Sequence, residues 1–401
     1  MLAPYDTVGH AGGKIHNYYL KYLHKQNKCN IRLVSTYKES EAPKLDLDDY
    51  GIEHNMFLRR REGLAGLVCK ALSWSSKSCI FNRYAGLTPA DTSYGIKKEL
   101  KKVFREGYKP DLIFLQWTEV VFLAPYIKKL FPNAKYAAIE EDVSFQSLQR
   151  KSENASNIFI KKFFQVKQQR VKKKETALLN TMDQIIVNNV KDEALLRKNG
   201  VVKDIFLWTP FYKNYKAYKR KDGTKDIVFY GAMNRPENWK SAVWFIENVF
   251  DKIKSDNVRF VIAGSSPNPA LRKYEGDRVV VMGWVENAEE VLGEALCVVA
   301  PLVLGAGIKI KILEAMSCGA IVLTNDIGIE GIPAEKGKEY FHCNTAKEYA
   351  EVITALADGK FNTAEMSRSA KKLIEERFNI EESSREFVKV VERLLNPEDA
   401  F

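Results

Sequence analysis

Leu296-Cys-Val-Val-Ala-Pro-Leu302 runs into Val303-Leu-Gly-Ala-Gly307, then Ile308-Lys-Ile-Lys-Ile-Leu-Glu-Ala-Met-Ser317, then Cys318-Gly-Ala-Ile-Val-Leu-Thr-Asn325. The first segment is a short apolar run without polar alternation, the pattern of a strand buried on both faces. Gly305-Ala306-Gly307 is a small-residue loop. Lys309 to Ser317 carries apolar residues at helical spacing, and Ala320 to Thr324 is a second buried strand. Strand, tight loop, helix and strand in under thirty residues make a βαβ unit and predict a parallel, doubly wound sheet.

The same alternation extends outward. Asp226–Gly231, Val258–Gly264 and Arg278–Gly283 read as strands. Trp239–Phe250 reads as a helix, with Ala242, Phe245, Ile246 and Val249 on one face, and a further helix is expected near Ala288–Ala295. The first half repeats the theme less regularly. Ile15–His24 is an expected helix; Ile31–Ser35, Asp111–Gln116, Tyr136–Ile139 and Gln184–Asn188 are expected strands. Residues 55–95 read as an irregular insertion. Met1–Tyr5 reads as the tail of a first strand, so a few residues are expected to precede it. Lys213–Asp226, charged and Tyr-rich, is the expected linker. The fold class expected is therefore α/β, with two Rossmann-like parallel-sheet domains, and ligands in such sheets bind at strand C-termini.

The 401 residues are 45% apolar and 28% charged, which suits sizeable cores and excludes a disordered or fibrous chain. No stretch reaches the roughly 18 apolar residues of a membrane span, and no secretory signal is expected at the start. Cys29, Cys69, Cys79, Cys297, Cys318 and Cys343 form no Cys-x-x-Cys pair, which reads as free thiols in a reducing compartment. Residues 1–200 hold 34 Lys and Arg against 21 Asp and Glu, a net +13, whereas residues 201–401 hold 28 against 30. A basic half of this kind faces an anionic membrane, an acidic substrate or nucleic acid, or serves solubility alone.

The glycine loop carries the clearest chemistry. The first amides of the helix after it lack intrahelical partners, and with the helix dipole they form an anion site suited to a diphosphate. Lys309 and Lys311 add charge. Glu314 lies about two turns in, and its side chain leans back toward the loop, where a carboxylate can accept two ribose hydroxyls. The plainer alternative is a solvated Glu314 paired with Lys311. No Asp-x-Asp stands at a strand end; Asp46 and Asp48 sit in a polar loop, so no metal site is expected.

Residues 305–322, read as Gly-Ala-Gly-Ile-Lys-x-Lys-Ile-Leu-Glu-Ala-Met-x-x-Gly-x-x-Val, resemble the donor-nucleotide motif of family 4 glycosyltransferases, which have the GT-B fold. Thr324-Asn-Asp-Ile-Gly-Ile-Glu-Gly331 and Phe229-Tyr-Gly-Ala-Met-Asn-Arg-Pro-Glu-Asn238 resemble further runs of that family. The resemblance implies two domains facing a central cleft. An acceptor-binding domain would span 1–212 and a nucleotide-sugar domain 213–380, with a helix in 381–401 crossing back to the first domain. It implies retention of anomeric configuration. Gly307, Ile308 and Lys309 would contact diphosphate or sugar, Glu314 the ribose, Arg235 or Lys240 the leaving diphosphate, and Val285 in Gly283-Trp284-Val285 the nucleobase. In the first half, Asp6-Thr-Val-Gly-His-Ala-Gly-Gly13 resembles the family's acceptor-side glycine loop, with Gly12 and Gly13 carrying the match and His10 a candidate contact. Ile139-Glu-Glu-Asp-Val143 places Glu141 where relatives often have His, with Asp142 beside it; both are catalytic candidates. One departure is clear. Many members carry a second Glu where Ala306 stands, so donor choice is open.

Two basic–apolar surfaces complete the reading. Ile158–Lys174 is a helix with Phe159, Phe163 and Val166 in one stripe amid lysines, the pattern of an interfacial helix; the alternative is a stripe packed on the chain's own core. Arg59-Arg60-Arg61 with Leu64, Leu67, Val68, Leu72 and Trp74 is the second. The expected partners are a nucleotide-sugar donor, a glycan or lipid-linked acceptor and an anionic membrane surface on the cytoplasmic face. A sugar-nucleotide epimerase and a non-enzymatic binding protein are the alternatives. No nucleic-acid module signature is present.

Overall fold

The computed structural model describes residues 2–4, 11–27, 29–59, 63, 66–68, 70–72, 87–209, 215, 218–220, 224–305 and 307–396. The chain divides into two compact units, Met1–Pro210 with Glu381–Phe401, and Phe211–Ile380.

The first unit is built on a parallel sheet of β1 (Leu2–Pro4), β2 (Arg32–Lys38), β3 (Glu53–Arg59), β4 (Leu112–Gln116), β5 (Lys135–Glu140), β6 (Gln184–Val187) and β7 (Ile205–Leu207), in the order β3-β2-β1-β4-β5-β6-β7. The order reverses between β1 and β4, and loops leaving the C-terminal ends there are where α/β sheets bind ligands. The helices used below are α1 (Ala11–Lys25), α2 (Ala90–Arg105), α3 (Ser144–Glu153), α4 (Ile158–Leu179), α5 (Pro236–Asn248), α6 (Ile310–Ser317) and α7 (Ile380–Leu395). β5 and β6 are buried on both faces, as their Ala, Ile and Val content dictates. α7 joins this unit through an aromatic knot. Phe387 lies 4.9 Å from Trp208 and 5.3 Å from Phe114, Tyr19 lies 4.3 Å from Trp208, and the Trp208 indole donates to the Ser383 carbonyl at 3.0 Å.

Residues 55–95 are not simply irregular. β3 pairs with β2 from Arg32↔Glu53 to Lys38↔Arg59, and α2 begins at Ala90. As an edge strand β3 is half-exposed, so its Glu53-His-Asn-Met-Phe-Leu-Arg59 sequence lacks the apolar run that marks an inner strand. β7 has three residues, too few for a periodic signal.

The second unit is a parallel sheet of β8 (Asp226–Tyr230), β9 (Arg259–Ala263), β10 (Val279–Gly283), β11 (Cys297–Ala300), β12 (Val322–Thr324) and β13 (Phe341–His342), in the order β10-β9-β8-β11-β12-β13. One continuous core runs through it, from Ile227 and Phe260 to Leu313, Val322 and Tyr349. The order reverses between β8 and β11. The loops after these two strands, Gly231–Arg235 and Pro301–Lys309, therefore leave from the switch point, and the second is the glycine loop read from the sequence.

Candidate active site

In the second unit, backbone approach sets the geometry. A Cβ on Gly264 would stand 1.8 Å from the Gly231 carbonyl oxygen, so only glycine fits, and the Gly231 amide donates to the Ala263 carbonyl at 3.0 Å. Asn238 does not cap α5. It is buried within the helix, where its Nδ2 donates to the Ala232 carbonyl at 2.8 Å and its Oδ1 accepts from Lys311 Nζ. Lys311 thus reaches from α6 to the turn after β8, with its ammonium 5.1 Å from the Phe229 ring centroid. Burial pushes this amine down to about 7, and the nearby charges of Arg235 and Lys309 push the same way, with Glu237 opposing. Lys311 is not the solvated partner of Glu314.

Lys309, expected as open positive charge, is buried too. Its Nζ donates to the Gly307 carbonyl and lies 3.6 Å from Glu330 Oε2, also buried. This pairing ties the glycine loop to the Gly328-Ile-Glu-Gly331 run. Gly305 and Gly307 have φ +136° and +69°, values that favour glycine. Ala306 lies outside the described residues. Glu314 is 9% exposed, so the solvated reading does not hold. It faces Tyr230 and Tyr215, whose phenols are pushed up first by burial and then by its charge. Its backbone carbonyl accepts from Ser317 Oγ at 2.8 Å, and Ser317 Oγ accepts from the Tyr215 amide at 3.1 Å. Arg235 is exposed and pairs with Glu237; Lys240 is exposed with its ammonium 5.7 Å from the Trp239 ring centroid. Ile308 and Val285 are half-buried against the core, and Trp284 between Gly283 and Val285 is 69% exposed.

In the first unit, Glu141 and Asp142 follow β5 directly and are half-buried. Glu141 Oε1 meets His16 Nε2, and Gln116, the last residue of β4, brings its Nε2 to the same imidazole nitrogen and within 3.4 Å of Glu141 Oε1. Beneath them Glu140 is buried. Its Oε2 accepts from Thr118 Oγ1, which accepts in turn from Ser144 Oγ at 2.8 Å. Burial pushes the Glu140 carboxyl up to about 8; the Thr118 bond opposes this, and the charges of Asp142, Glu119 and Asp192 add to it. Glu175 of α4 is also buried and raised; its two oxygens accept from the Ser144 and Phe145 amides at 3.0 and 3.3 Å, serving the free amides that begin α3. Gly12 and Gly13 lie inside α1, so the expected loop ends before them, and Asp6–His10 lie outside the described residues. Sequence reading passed over His16, Gln116 and Glu330. Each meets a partner only through the fold, although a polar residue closing a buried strand, as Gln116 does, was a signal for one.

These details now meet known proteins. Residues 224–358 match the family described as Glycosyl transferases group 1. A Klebsiella pneumoniae protein described as "Uncharacterized 44.6 kDa protein in cps region" is 24% identical over 162 residues, 38% of this chain and 42% of that protein. The match therefore spans less than half that relative's length. Among solved structures, Anabaena HepE in complex with UDP and glucose is 12% identical, with 97% of this chain and 98% of that chain covered and a TM-score of 0.68. Sucrose-phosphate synthase from Thermosynechococcus elongatus is 15% identical, covering 99% and 98%, at 0.69. TarM is 14% identical, covering 98% of each chain, at 0.66. At such identities the likeness is one of fold: the chain has the two-domain α/β GT-B fold. The glycosyl transferase domain match on this fold supports a transferase.

Proposed function

We propose that the chain is a retaining glycosyltransferase of the family 4 kind, moving a sugar from a nucleotide-diphospho-sugar to a glycan or lipid-linked acceptor. The observation that carries this is the glycine loop at the switch point of the second unit, with Lys309 locked to Glu330 and a buried Glu314 behind it. UDP in the HepE structure supports a uridine donor, and the cps-region description of the Klebsiella relative supports polysaccharide synthesis. In this reading residues 213–380 bind the donor and 1–212 the acceptor. The Gly307 and Ile308 backbone takes the diphosphate, and Arg235, Lys240 and Lys311 offset its charge as it departs. Glu314 binds the ribose and Val285 borders the base. Glu141 and Asp142 face the positive charge that develops on the sugar. No step calls for a divalent ion.

The test is a panel of UDP-, GDP- and ADP-sugars scored by thermal stabilisation, followed by transfer assays with EDTA. One class of nucleotide is expected to raise the melting temperature, because a ligand at about 100 times its Kd adds about 2.7 kcal/mol. Transfer is expected to survive EDTA. Absence of stabilisation by every nucleotide, or loss of turnover in EDTA reversed by added metal, would sink the reading.

The acceptor side is proposed to meet an anionic membrane from the cytoplasmic face. The N-terminal half of α4 supports this: Ile158, Phe159, Ile160, Phe163 and Val166 are exposed, Phe159 at 80%, with Lys161 and Lys162 exposed between them. The stripe does not pack on the core. Among the described residues no helix is long and apolar enough to cross a membrane. Lys174 does not belong to this surface: burial lowers its pKa, and its ammonium lies 4.4 Å from the Phe122 ring centroid. In the second surface Leu67, Val68 and Leu72 are exposed, whereas Arg60, Arg61, Leu64 and Trp74 lie outside the described residues. Each lysine near acidic lipid contributes about 1 kcal/mol. The variant Lys161→Glu/Lys162→Glu is therefore expected to weaken co-sedimentation with phosphatidylserine vesicles at least tenfold at low salt. Equal binding of variant and wild type would count decisively against the surface.

A further inference from the structure

We propose that His16, with Gln116 beside it, is a positioning residue that holds the Glu141 carboxylate in its working orientation. The proposal rests on the reading of Glu141 as a catalytic carboxylate.

Three chain segments far apart in sequence converge here: the first turns of α1, the C-terminal end of β4 and the C-terminal end of β5. β1 and β4 flank the order reversal of the sheet, and β5 lies next to β4. His16 is 5% exposed, and a buried imidazole is costly unless hydrogen-bonded. Among the described residues its polar contacts are Glu141 Oε1 and the Gln116 amide, both at Nε2; His16 Nδ1 has no partner there. The ring is therefore anchored through Nε2. With the proton on that nitrogen, it donates to the Glu141 carboxylate, a tautomer assigned from the hydrogen-bond pattern; the Gln116 NH2, itself a donor, then serves the same carboxylate and not the imidazole nitrogen. Gln116 is fully buried, and its Nε2 is 3.4 Å from the same carboxylate oxygen.

The backbone supports the arrangement. Trp117 follows Gln116 and sits edge-on to His16, ring centroids 5.5 Å apart at 87°. It has φ +65°, a conformation that bulky side chains rarely adopt and that persists only where surrounding structure enforces it. The strained turn thus holds an indole against one side of the imidazole, while Nε2 meets the carboxylate. A carboxylate acting on developing positive charge depends on orientation, and a displacement of about 1 Å can cost about 10²-fold in rate.

The experiment is a double-mutant cycle on the full chain, read as UDP release from the UDP-sugar selected by thermal stabilisation. His16→Ala is expected to lower kcat about 10- to 100-fold with little change in KM for the donor. His16→Gln, which returns an N–H near the Nε2 position, should recover most of it. In a Glu141→Gln background, already impaired, His16→Ala should cost less than threefold more, because the residue it serves is gone. Melting temperatures separate lost positioning from lost folding, and His16→Gln keeps the test open if His16→Ala unfolds. The proposal is overturned if the two losses multiply, if His16→Ala raises KM alone, or if Glu141→Gln is impaired while His16→Ala is not. If Glu141→Gln retains wild-type kcat, the catalytic reading of Glu141 fails first, and the role of His16 falls with it.

Discussion

Glu314→Gln is expected to weaken UDP binding and to lower kcat/KM at least tenfold, and up to about 10³-fold, while the chain stays folded. Hydrogen bonds to a charged group contribute about 1.5–3 kcal/mol each. The amide keeps one acceptor oxygen and turns an NH2 toward the second hydroxyl, so at least one such bond is lost. Gln is the right probe because Glu314 is buried: truncation to Ala would open a cavity beside Tyr230 and Tyr215 and confuse binding with stability. With the isosteric change the melting temperature should move by no more than a few degrees. Calorimetric titration with UDP reads the effect without any knowledge of the acceptor. A Kd unchanged from wild type would remove Glu314 from the nucleotide site and with it the strongest support for the donor reading.

What was legible in the sequence follows from what each signal measures. Inner parallel strands are apolar throughout, so β8, β9, β11 and β12 stood out within a residue or two of their limits. The βαβ order then fixed the sheet type, and the glycine loop fell at its switch point. β3 escaped notice because an edge strand need satisfy only one buried side, and β13, with two residues, has no period to read. The site was legible where partners are close in sequence and obscure where they are not. Lys309 and Glu330 lie 21 positions apart, Lys311 and Asn238 lie 73 apart, and His16 and Glu141 lie 125 apart. Helical spacing suggested a Lys311–Glu314 pair because that rule sees only neighbours along one helix. It cannot register that Phe229 and Asn238 offer the ammonium a closer seat across the sheet.

Glu140→Gln is expected to leave the melting temperature nearly unchanged at pH 5.0 and to raise it by roughly 5–10 °C at pH 8.5. The folded protein holds the Glu140 carboxyl at about 8, well above its ordinary 4.5, chiefly because burial disfavours the charged form. Between these values the folded state keeps a proton that the unfolded state has released. The stability linked to this group is therefore full below about pH 4.5 and is lost as pH rises toward 8. Gln imitates the protonated form at every pH: its carbonyl still accepts from Thr118 Oγ1, and its NH2 replaces the oxygen that has no partner among the described residues. At pH 5.0 the folded wild type still holds its proton here, and because this pH is only slightly above the ordinary 4.5 the ionised unfolded carboxyl opposes folding by less than about 1 kcal/mol, so the comparison largely cancels. At pH 8.5 wild type must either ionise beside Asp142, Glu119 and Asp192 or unfold, at a cost on the order of a few kcal/mol. For a unit of this size each kcal/mol moves the midpoint by about 2–4 °C. Glu175 repels the same charge and remains in the variant, so a residual slope should persist, shallower than in wild type. A Glu140→Gln difference that does not grow with pH would mean that the carboxyl is ionised in the folded state. The loop carrying Glu141 and Asp142 would then rest on a buried charge, not on a neutral hydrogen-bonded floor.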